Sequence, residues 1–177
     1  MRFVETPLPG VLEVESPRHA DERGWFRRVL DAAAFEAAGQ VAPVLQASLS
    51  HNDRAGTLRG MHYQRDPHAE HKLIRCVRGA IWDVALDLRP ASPTHRRWHA
   101  VELSEDGERG LYVPPGVAHG FQTLVDGSDV LYMIGEPYVP DAAAGVRWDD
   151  PAFAIDWPAA TARVISARDA GYPDFAP

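Results

Sequence analysis

The sequence predicts an all-β domain, a sandwich or barrel of antiparallel strands with one short helix. Runs rich in β-branched, aromatic and leucine residues recur along the 177 residues, and 15 prolines and 14 glycines separate them. Apolar residues make up 45% of the chain, which is enough for one domain with a core. No repeat, linker or low-complexity block divides residues 1–177, so we expect a single domain.

The predicted strands follow one another from the N-terminus. In order, they are the runs GVLEVES, GWFRRVL, VLQASLSHN, KLIRCVRG, AIWDVALDLR, RWHAVELS and DVLYMIGE. The stretch DAAAFEAAG, between the second and third runs, is typical of a helix that Asp31 caps and Gly39 ends. The proline-rich end from Pro140 onward predicts ordered loops and a tail that wraps around the domain.

The run IWDVALDL alternates strictly between two faces of a strand. One face is Trp82, Val84, Leu86 and Leu88, and the other is Ile81, Asp83, Ala85 and Asp87. A mixed face of this kind usually points to water, but in a small barrel it lines a polar cavity instead. The sequence alone leaves both interpretations open.

Charge and composition exclude several classes of protein. The net charge of −7 and the pI of about 5.6 argue against a general affinity for nucleic acid or anionic membranes. The start, MRFVETPLPG, lacks the apolar core of a signal peptide, and no apolar run reaches the length of a membrane span. We therefore expect a soluble cytoplasmic protein with neither nucleic acid nor membrane as a partner.

The single cysteine, Cys76, excludes an internal disulfide framework. It lies in the middle of a predicted strand, and no histidine stands at an obvious offset from it. A buried apolar residue is therefore favoured over a nucleophile.

Several side chains suited to acid–base chemistry occur together in the sequence. His62 stands between Arg59 and Lys72, and histidine is the side chain whose free pKa lies closest to neutrality. A histidine base needs a carboxylate to orient it, for which Asp83 and Asp169 are candidates. Tyr132 is a candidate proton donor from the other side. Each of these residues taken alone is more often structural, so only their joint occurrence is suggestive.

Seven motifs extend along nearly the whole chain. They are DERGWF (21–26), GTLRGMHYQ (56–64), HKLIRCVRGAIWDVALDLRPASPTHRRW (71–98), LYVPPGVAHGF (111–121), VLYMIGEPYVPD (130–141), GVRWDDP (145–151) and SARDAGYP (166–173). In order and spacing they resemble the dTDP-4-dehydrorhamnose 3,5-epimerase family, also called dTDP-4-keto-6-deoxyglucose epimerases. The resemblance implies a cupin jelly roll, the double-stranded β-helix, with a few short helices and no cofactor. It also implies a homodimer whose N-terminal segment crosses to the partner, and a nucleotide–sugar site inside each barrel.

The resemblance also implies roles for individual residues. His62 resembles the family's general base, Asp169 its dyad partner and Tyr132 the acid on the opposite face of the sugar ring. Lys72 resembles the cation that stabilises the enolate oxygen. The residues implied to border the substrate are Arg23, Phe26, Gln46, Arg59, Asp83, His119 and Tyr138. Of these, Arg23 is expected to reach the nucleotide across the dimer. Tyr138 either stacks on the base or packs at a turn.

A metal site is not predicted. Metal-binding cupins carry a His-x-His motif and a Pro-x-Gly-x-x-His motif, and only the second is present, at Pro114, Gly116 and His119. The first is broken because Gln64 stands two positions after His62. Three good ligands cannot be assigned to one strand face.

The chain departs from the family pattern at positions that border the ligand in relatives. Arg27 and Arg28 follow Phe26 where an acid is usual, and they are either a solvated strand edge or phosphate contacts. Ser48 replaces an asparagine, and Glu70 and His71 replace a glutamine and a small residue. These differences leave the nucleotide, the sugar and the choice of C3, C5 or both open. The alternatives to an epimerase are a sugar-nucleotide-binding cupin without turnover and a 3,4-ketoisomerase.

One geometric problem concerns the strand that carries His62. Arg59 and His62 are three residues apart, so a regular strand points them to opposite faces. Gly60 between them is a candidate site for a bulge that turns both side chains inward. We therefore predict an irregular backbone at Gly60.

Overall fold

The computed structural model describes residues 1–175, which form fourteen strands and two short helices. The strands are β1 (Arg2–Glu5), β2 (Leu12–Glu15), β3 (His19–Asp21), β4 (Gly24–Phe26), β5 (Gln46–Asn52), β6 (Thr57–Gln64), β7 (Lys72–Arg78), β8 (Ala80–Asp87), β9 (Trp98–Ser104), β10 (Arg109–Val113), β11 (Val117–Thr123), β12 (Ser128–Ile134), β13 (Ala143–Gly145) and β14 (Val164–Ile165). The helices are α1 (Ala32–Ala37) and α2 (Ala167–Ala170).

Most strands belong to two sheets that face each other. The first sheet has the order β1-β2-β10-β7-β12-β5, and the second has the order β13-β6-β11-β8-β9 with β14 added in parallel beside β6. Strands β3 and β4 form a separate hairpin. From β5 to β12 most connections cross from one sheet to the other, which is the pattern of a jelly roll. The predicted all-β jelly roll with short helices is therefore confirmed.

The main core lies between the two sheets and receives apolar side chains from both. Its fully buried members include Ile74 from β7 and Leu111 from β10 on one side, and Ile81 from β8 and Phe121 from β11 on the other. Burial of an aliphatic or aromatic side chain of this size contributes about 1.5–3 kcal/mol. This shared core packs the two sheets against each other.

Strand β8 turns its mixed face toward this interior. Ile81 and Ala85 belong to the inner core, and Asp83 on the same face is 0% exposed. Val84 and Leu86 pack on the outer face of the second sheet instead. The mixed face thus points to the interior and not to water, but none of its four side chains lines the cavity described below.

Helix α1 covers the outer face of the first sheet. The Asp31 side chain caps it by accepting a hydrogen bond from the Ala34 amide at 3.3 Å, as predicted. Gly39 follows the helix with a φ of +69°, a conformation that favours glycine. Phe35 is fully buried and makes an edge-to-face contact with Tyr112 at 5.4 Å between ring centroids.

The C-terminal segment covers the outer face of the second sheet. Val146, Phe153 and Trp157 pack there against Leu58 and Met61 of β6. The chain then returns as β14 beside β6, and α2 follows directly. Residues 176 and 177 of the predicted domain lie outside the described residues.

Strand β6 is irregular at Gly60, as predicted. Its register with β11 shifts between the pairs His119–His62 and Phe121–Arg59. Gly60 has a φ of +137°, and a Cβ there would lie 2.5 Å from the Gly120 Cα. Both Arg59 and His62 consequently face the cavity between the sheets.

Cys76 is a buried core residue, as the sequence favours. It is 4% exposed, and its thiol donates to the Arg78 carbonyl at 3.0 Å. Burial raises the pKa of this thiol to about 12, so the thiolate is scarce near neutral pH.

Among residues 1–175, neither helix has the length and apolar character needed to cross a membrane.

Candidate active site

A cavity of about 720 Å³ opens between the two sheets, beside the apolar core. The second sheet contributes Arg59 and His62 from β6 and His119 from β11 to its wall. The first sheet contributes Lys72 from β7 and Tyr132 from β12. The cavity is therefore walled by both sheets, and α2 and β14 of the C-terminal segment close one side of it.

His62 and Asp169 form a hydrogen-bonded pair in this wall. The His62 Nε2 lies 2.8 Å from the Asp169 Oδ1, and the Gly60 amide donates to the other carboxylate oxygen at 3.2 Å. Burial acts to raise the pKa of Asp169, but the hydrogen bonds from His62 and Gly60 and the attraction of His62 hold it below its usual value. An ionised carboxylate only accepts hydrogen bonds, so Nε2 carries the proton and Nδ1 keeps a free lone pair.

Tyr132 lies on the opposite sheet and also lines the cavity. Burial raises the pKa of its phenol, and the negative charge of Asp83 raises it further, while Arg59 acts in the opposite direction. The phenol is therefore protonated at neutral pH. A protonated phenol at a cavity wall can donate a proton or a hydrogen bond to a bound molecule.

A second histidine–carboxylate pair, His119 and Asp83, joins the neighbouring strands β11 and β8. The His119 Nε2 is 2.7 Å from the Asp83 Oδ1, and the two residues are 4% and 0% exposed. The His119 ring meets the Tyr132 ring edge-on at 5.9 Å. Asp83 contacts His119 but does not itself line the cavity.

Lys72 presents the cavity's ammonium group. Its Nζ lies 2.6 Å from a Glu70 carboxylate oxygen and donates to the His62 carbonyl at 3.4 Å. The Lys72 side chain is only 9% exposed, so its charge acts largely shielded from bulk water.

Three further predicted residues, Gln46, Arg59 and Tyr138, line the same cavity. Arg59 is fixed by a hydrogen bond from its Nε to the buried Asn52 Oδ1 at 2.9 Å. Tyr138 remains 59% exposed, so a large part of its ring is open to contact from outside.

Arg23 and Phe26 do not line the cavity of their own chain. Both lie in the exposed β3–β4 hairpin, where Arg23 pairs with Asp21 and Phe26 is 64% exposed. Within one chain the structure thus brings together the four predicted acid–base residues and four of the seven predicted binding residues around the cavity. The predicted binding residues that do not line it are Arg23, Phe26 and Asp83.

The positions that depart from the family pattern divide into two groups. Ser48 and Glu70 line the cavity. His71 instead hydrogen-bonds the Tyr112 hydroxyl at 2.6 Å, and Arg28 pairs with Asp31 at 3.1 Å. Arg27 donates to the Gly107 carbonyl.

Two polar lining residues of the tail, Ser166 and Arg168, are not among the residues predicted from the sequence. Ser166 caps α2, and its hydroxyl accepts from the Asp169 amide at 3.1 Å. The spacing S-x-x-D that produces this cap is a helix-start signal readable in the sequence. Arg168 has no such signal beyond its place next to Asp169.

Within the described part of the chain, no three His, Cys, Asp or Glu side chains converge as a set of metal ligands would.

Comparison with known proteins connects this site to a family. The family model described as dTDP-4-dehydrorhamnose 3,5-epimerase matches residues 5–177. A protein of that name from Sinorhizobium fredii is 38% identical over 175 residues, which is 99% of this chain and 90% of the relative.

Solved structures give the same result. The dTDP-4-dehydrorhamnose 3,5-epimerase from Bacillus anthracis, solved with TDP and PPi bound, is similar at a TM-score of 0.94 and 38% identity, over 98% of this chain and 99% of that one. ChmJ, a 3′-monoepimerase from Streptomyces bikiniensis in complex with dTDP-quinovose, is similar at a TM-score of 0.89 and 32% identity. The match covers 96% of this chain and 85% of that one. Because sequence and fold agree over nearly the whole length, this chain belongs to the dTDP-4-dehydrorhamnose 3,5-epimerase family, whose members are isomerases with a cupin jelly roll.

Proposed function

We propose that this chain epimerises a nucleoside-diphosphate 4-keto-6-deoxyhexose, with dTDP as the nucleotide, at C3, C5 or both, in deoxysugar biosynthesis. The observation that carries the proposal is a base and an acid on opposite walls of one cavity. The His62–Asp169 pair belongs to the wall of the second sheet, and Tyr132 belongs to the first. The names of the relatives and the TDP or dTDP-sugar bound in the solved structures support the nucleotide sugar as substrate.

The first half of the reaction is proton removal. A ketone at C4 acidifies the C–H bonds at C3 and C5. The free Nδ1 of His62 takes the proton. The electron pair of the broken C–H bond forms a C=C bond to C4, and the π pair of the carbonyl moves onto the ketone oxygen. Asp169 stabilises the imidazolium that forms, and Lys72 stabilises the enolate oxygen in a site largely shielded from water.

The second half is proton return from the other side. The phenol of Tyr132 gives its proton to the opposite face of the carbon, which inverts that centre. One proton leaves the carbon and one arrives, so no oxidant, reductant or cofactor is consumed. Proton exchange with solvent then returns His62 to its neutral form and Tyr132 to its protonated form.

The remaining cavity residues suit a nucleoside diphosphate. Arg59 and Arg168 are guanidinium groups of the cavity wall, and guanidinium matches phosphate oxygens in charge and geometry. Gln46 and Ser48 add hydrogen-bonding groups, and the exposed Tyr138 ring offers a stacking surface for a base.

The position of Arg23 and Phe26 outside their own cavity supports the predicted homodimer. The β3–β4 hairpin that carries them also exposes 55% of Trp25, and such a projecting apolar hairpin fits an arm that reaches a partner. The sequence-based predictions of a cytoplasmic location and of one epimerase-type domain over residues 1–177 stand beside this proposal.

Incubation with 4-keto-6-deoxyhexose nucleotides in D2O, followed by NMR of the products, tests the proposed function. We expect deuterium at the inverted carbon, and the labelled position distinguishes C3 from C5. His62→Ala should lose incorporation while keeping the fold by circular dichroism. Binding without exchange would instead indicate a binding protein, and a shifted carbonyl would indicate a ketoisomerase.

A further inference from the structure

Glu70 is an acidic residue of the cavity wall. Among the ion pairs of the described residues, its one partner is Lys72. It lies in the loop that leads into β7, two residues before Lys72. Its Oε1 is 2.6 Å from the Lys72 Nζ, and the two side chains are 10% and 9% exposed. Both residues line the cavity that holds His62 and Tyr132.

The surroundings of the Lys72 ammonium explain why such a partner matters. A lysine ammonium is a point charge on a flexible four-carbon stem and has three N–H groups. One direction from Nζ is occupied by Glu70 and a second by the His62 carbonyl at 3.4 Å. These two oxygens restrict the ammonium on the protein side, and the third N–H is left for the cavity.

We propose that Glu70 is a positioning residue for Lys72, which holds the ammonium so that one N–H points at the ketone oxygen of the substrate. This inference rests on the proposed function, because it assigns the ammonium a reacting oxygen. The carboxylate acts through its contact with Lys72, and it neither transfers a proton nor binds the nucleotide.

The inference predicts which kinetic constant changes. The charge on the ketone oxygen is small in the bound ketone and grows as the enolate forms, so a misplaced ammonium costs more in the transition state than in the ground state. Removal of Glu70 should therefore lower kcat and leave KM nearly unchanged. A residue that merely supports the cavity's shape would change substrate binding and stability together.

The test compares Glu70→Ala with Glu70→Gln in the solvent deuterium-exchange assay. We expect Glu70→Ala to lower kcat by about 10–100-fold with KM within about threefold of the wild type. The kcat of Glu70→Gln should be at least about fivefold higher than that of Glu70→Ala, because the glutamine amide oxygen accepts a hydrogen bond from Lys72 at the same place. Glu136→Gln is the matched control, since Glu136 pairs with His68 at 3.4 Å and does not line the cavity.

A double-mutant cycle decides whether Glu70 acts through Lys72. With Lys72→Ala as the background, the further change Glu70→Ala should alter the exchange rate by no more than about twofold. Thermal unfolding and dTDP binding of each variant confirm that the cavity is intact. The inference is overturned if Glu70→Ala behaves as wild type, if it raises KM alone, if Glu70→Gln is no better than Glu70→Ala, or if the losses add independently of Lys72. Absence of exchange in the wild type would instead overturn the proposed function itself.

Discussion

Asp169 follows His62 by 107 positions in the chain, yet its Oδ1 lies 2.8 Å from the His62 Nε2. The approach depends on the tail, because β14 pairs with β6 just before Gly60 and α2 then places the carboxylate beside the histidine. The tautomer of the proposed base is therefore set by a segment that crosses the outer face of the second sheet before it returns to the cavity.

Replacement of Asp169 by asparagine should disable the base while leaving the shape of the site. An amide can donate to Nε2, which stabilises the tautomer with the proton on Nδ1 and removes the lone pair that accepts from carbon. We expect the rate of solvent deuterium exchange to fall by about 100-fold or more. Asp149→Asn, a change in a surface pair with Arg147, is the control and should retain wild-type exchange. A D169N rate within threefold of wild type would contradict the role of the dyad.

Asp169 should also make stability depend on pH. Burial acts to raise its pKa, but hydrogen bonds and the attraction of His62 hold it below the ordinary value of 3.8 in the folded state. The stabilisation is therefore fully present above about pH 4 and is lost as the pH falls through the folded-state pKa, because the unfolded chain binds the proton first. Denaturant unfolding of wild type and D169N between about pH 6 and pH 3 measures the difference. The advantage of the wild type should shrink at the acidic end, and a constant difference would contradict the assignment.

Tyr132→Phe should separate proton exchange from inversion. Without a donor on the far face, the carbanion formed by His62 can only be reprotonated from the face that lost the proton. We expect deuterium incorporation with retained configuration, and formation of the inverted sugar reduced by about 100-fold or more. Product NMR in D2O reads both quantities at once. If Y132F produces the inverted sugar at the wild-type rate, another group must supply the proton.

Gly60→Ala should destabilise the fold markedly. The residue has a φ of +137°, and its new Cβ would lie 2.5 Å from the Gly120 Cα of the neighbouring strand. The combined strain and backbone clash should cost about 2–4 kcal/mol in the free energy of unfolding. Gly127→Ala isolates the effect of positive φ, because Gly127 has a φ of +66° and no atom within 4 Å of the new Cβ, and should cost about 1 kcal/mol. Equal losses at the two positions would show that the close approach of β6 and β11 is unimportant.

Much of the fold could be predicted from the sequence because its signals are local. The cap at Asp31, the end at Gly39 and the irregular backbone at Gly60 depend on residues within a few positions of one another. The direction of the mixed face of β8 could not be predicted. It depends on His119, which lies 36 positions from Asp83 and supplies a buried partner for that carboxylate.

The candidate site shows the same division. The family motifs identified His62, Lys72, Tyr132 and Asp169, and the structure places all four around one cavity. The significance of Glu70 was not readable from the sequence, because it depends on the 2.6 Å contact that the loop before β7 makes with Lys72. Arg23 and Phe26 lie outside the cavity of their own chain, so their predicted role requires a second chain.

The most direct measurement is a crystal structure of this protein with a dTDP-hexose bound in the cavity. The proposed mechanism requires that His62 Nδ1 and the Tyr132 hydroxyl approach the same carbon of the sugar from opposite faces, each within about 4 Å of it. Both groups on one face of the ring, or a transition-metal ion held between them, would contradict it.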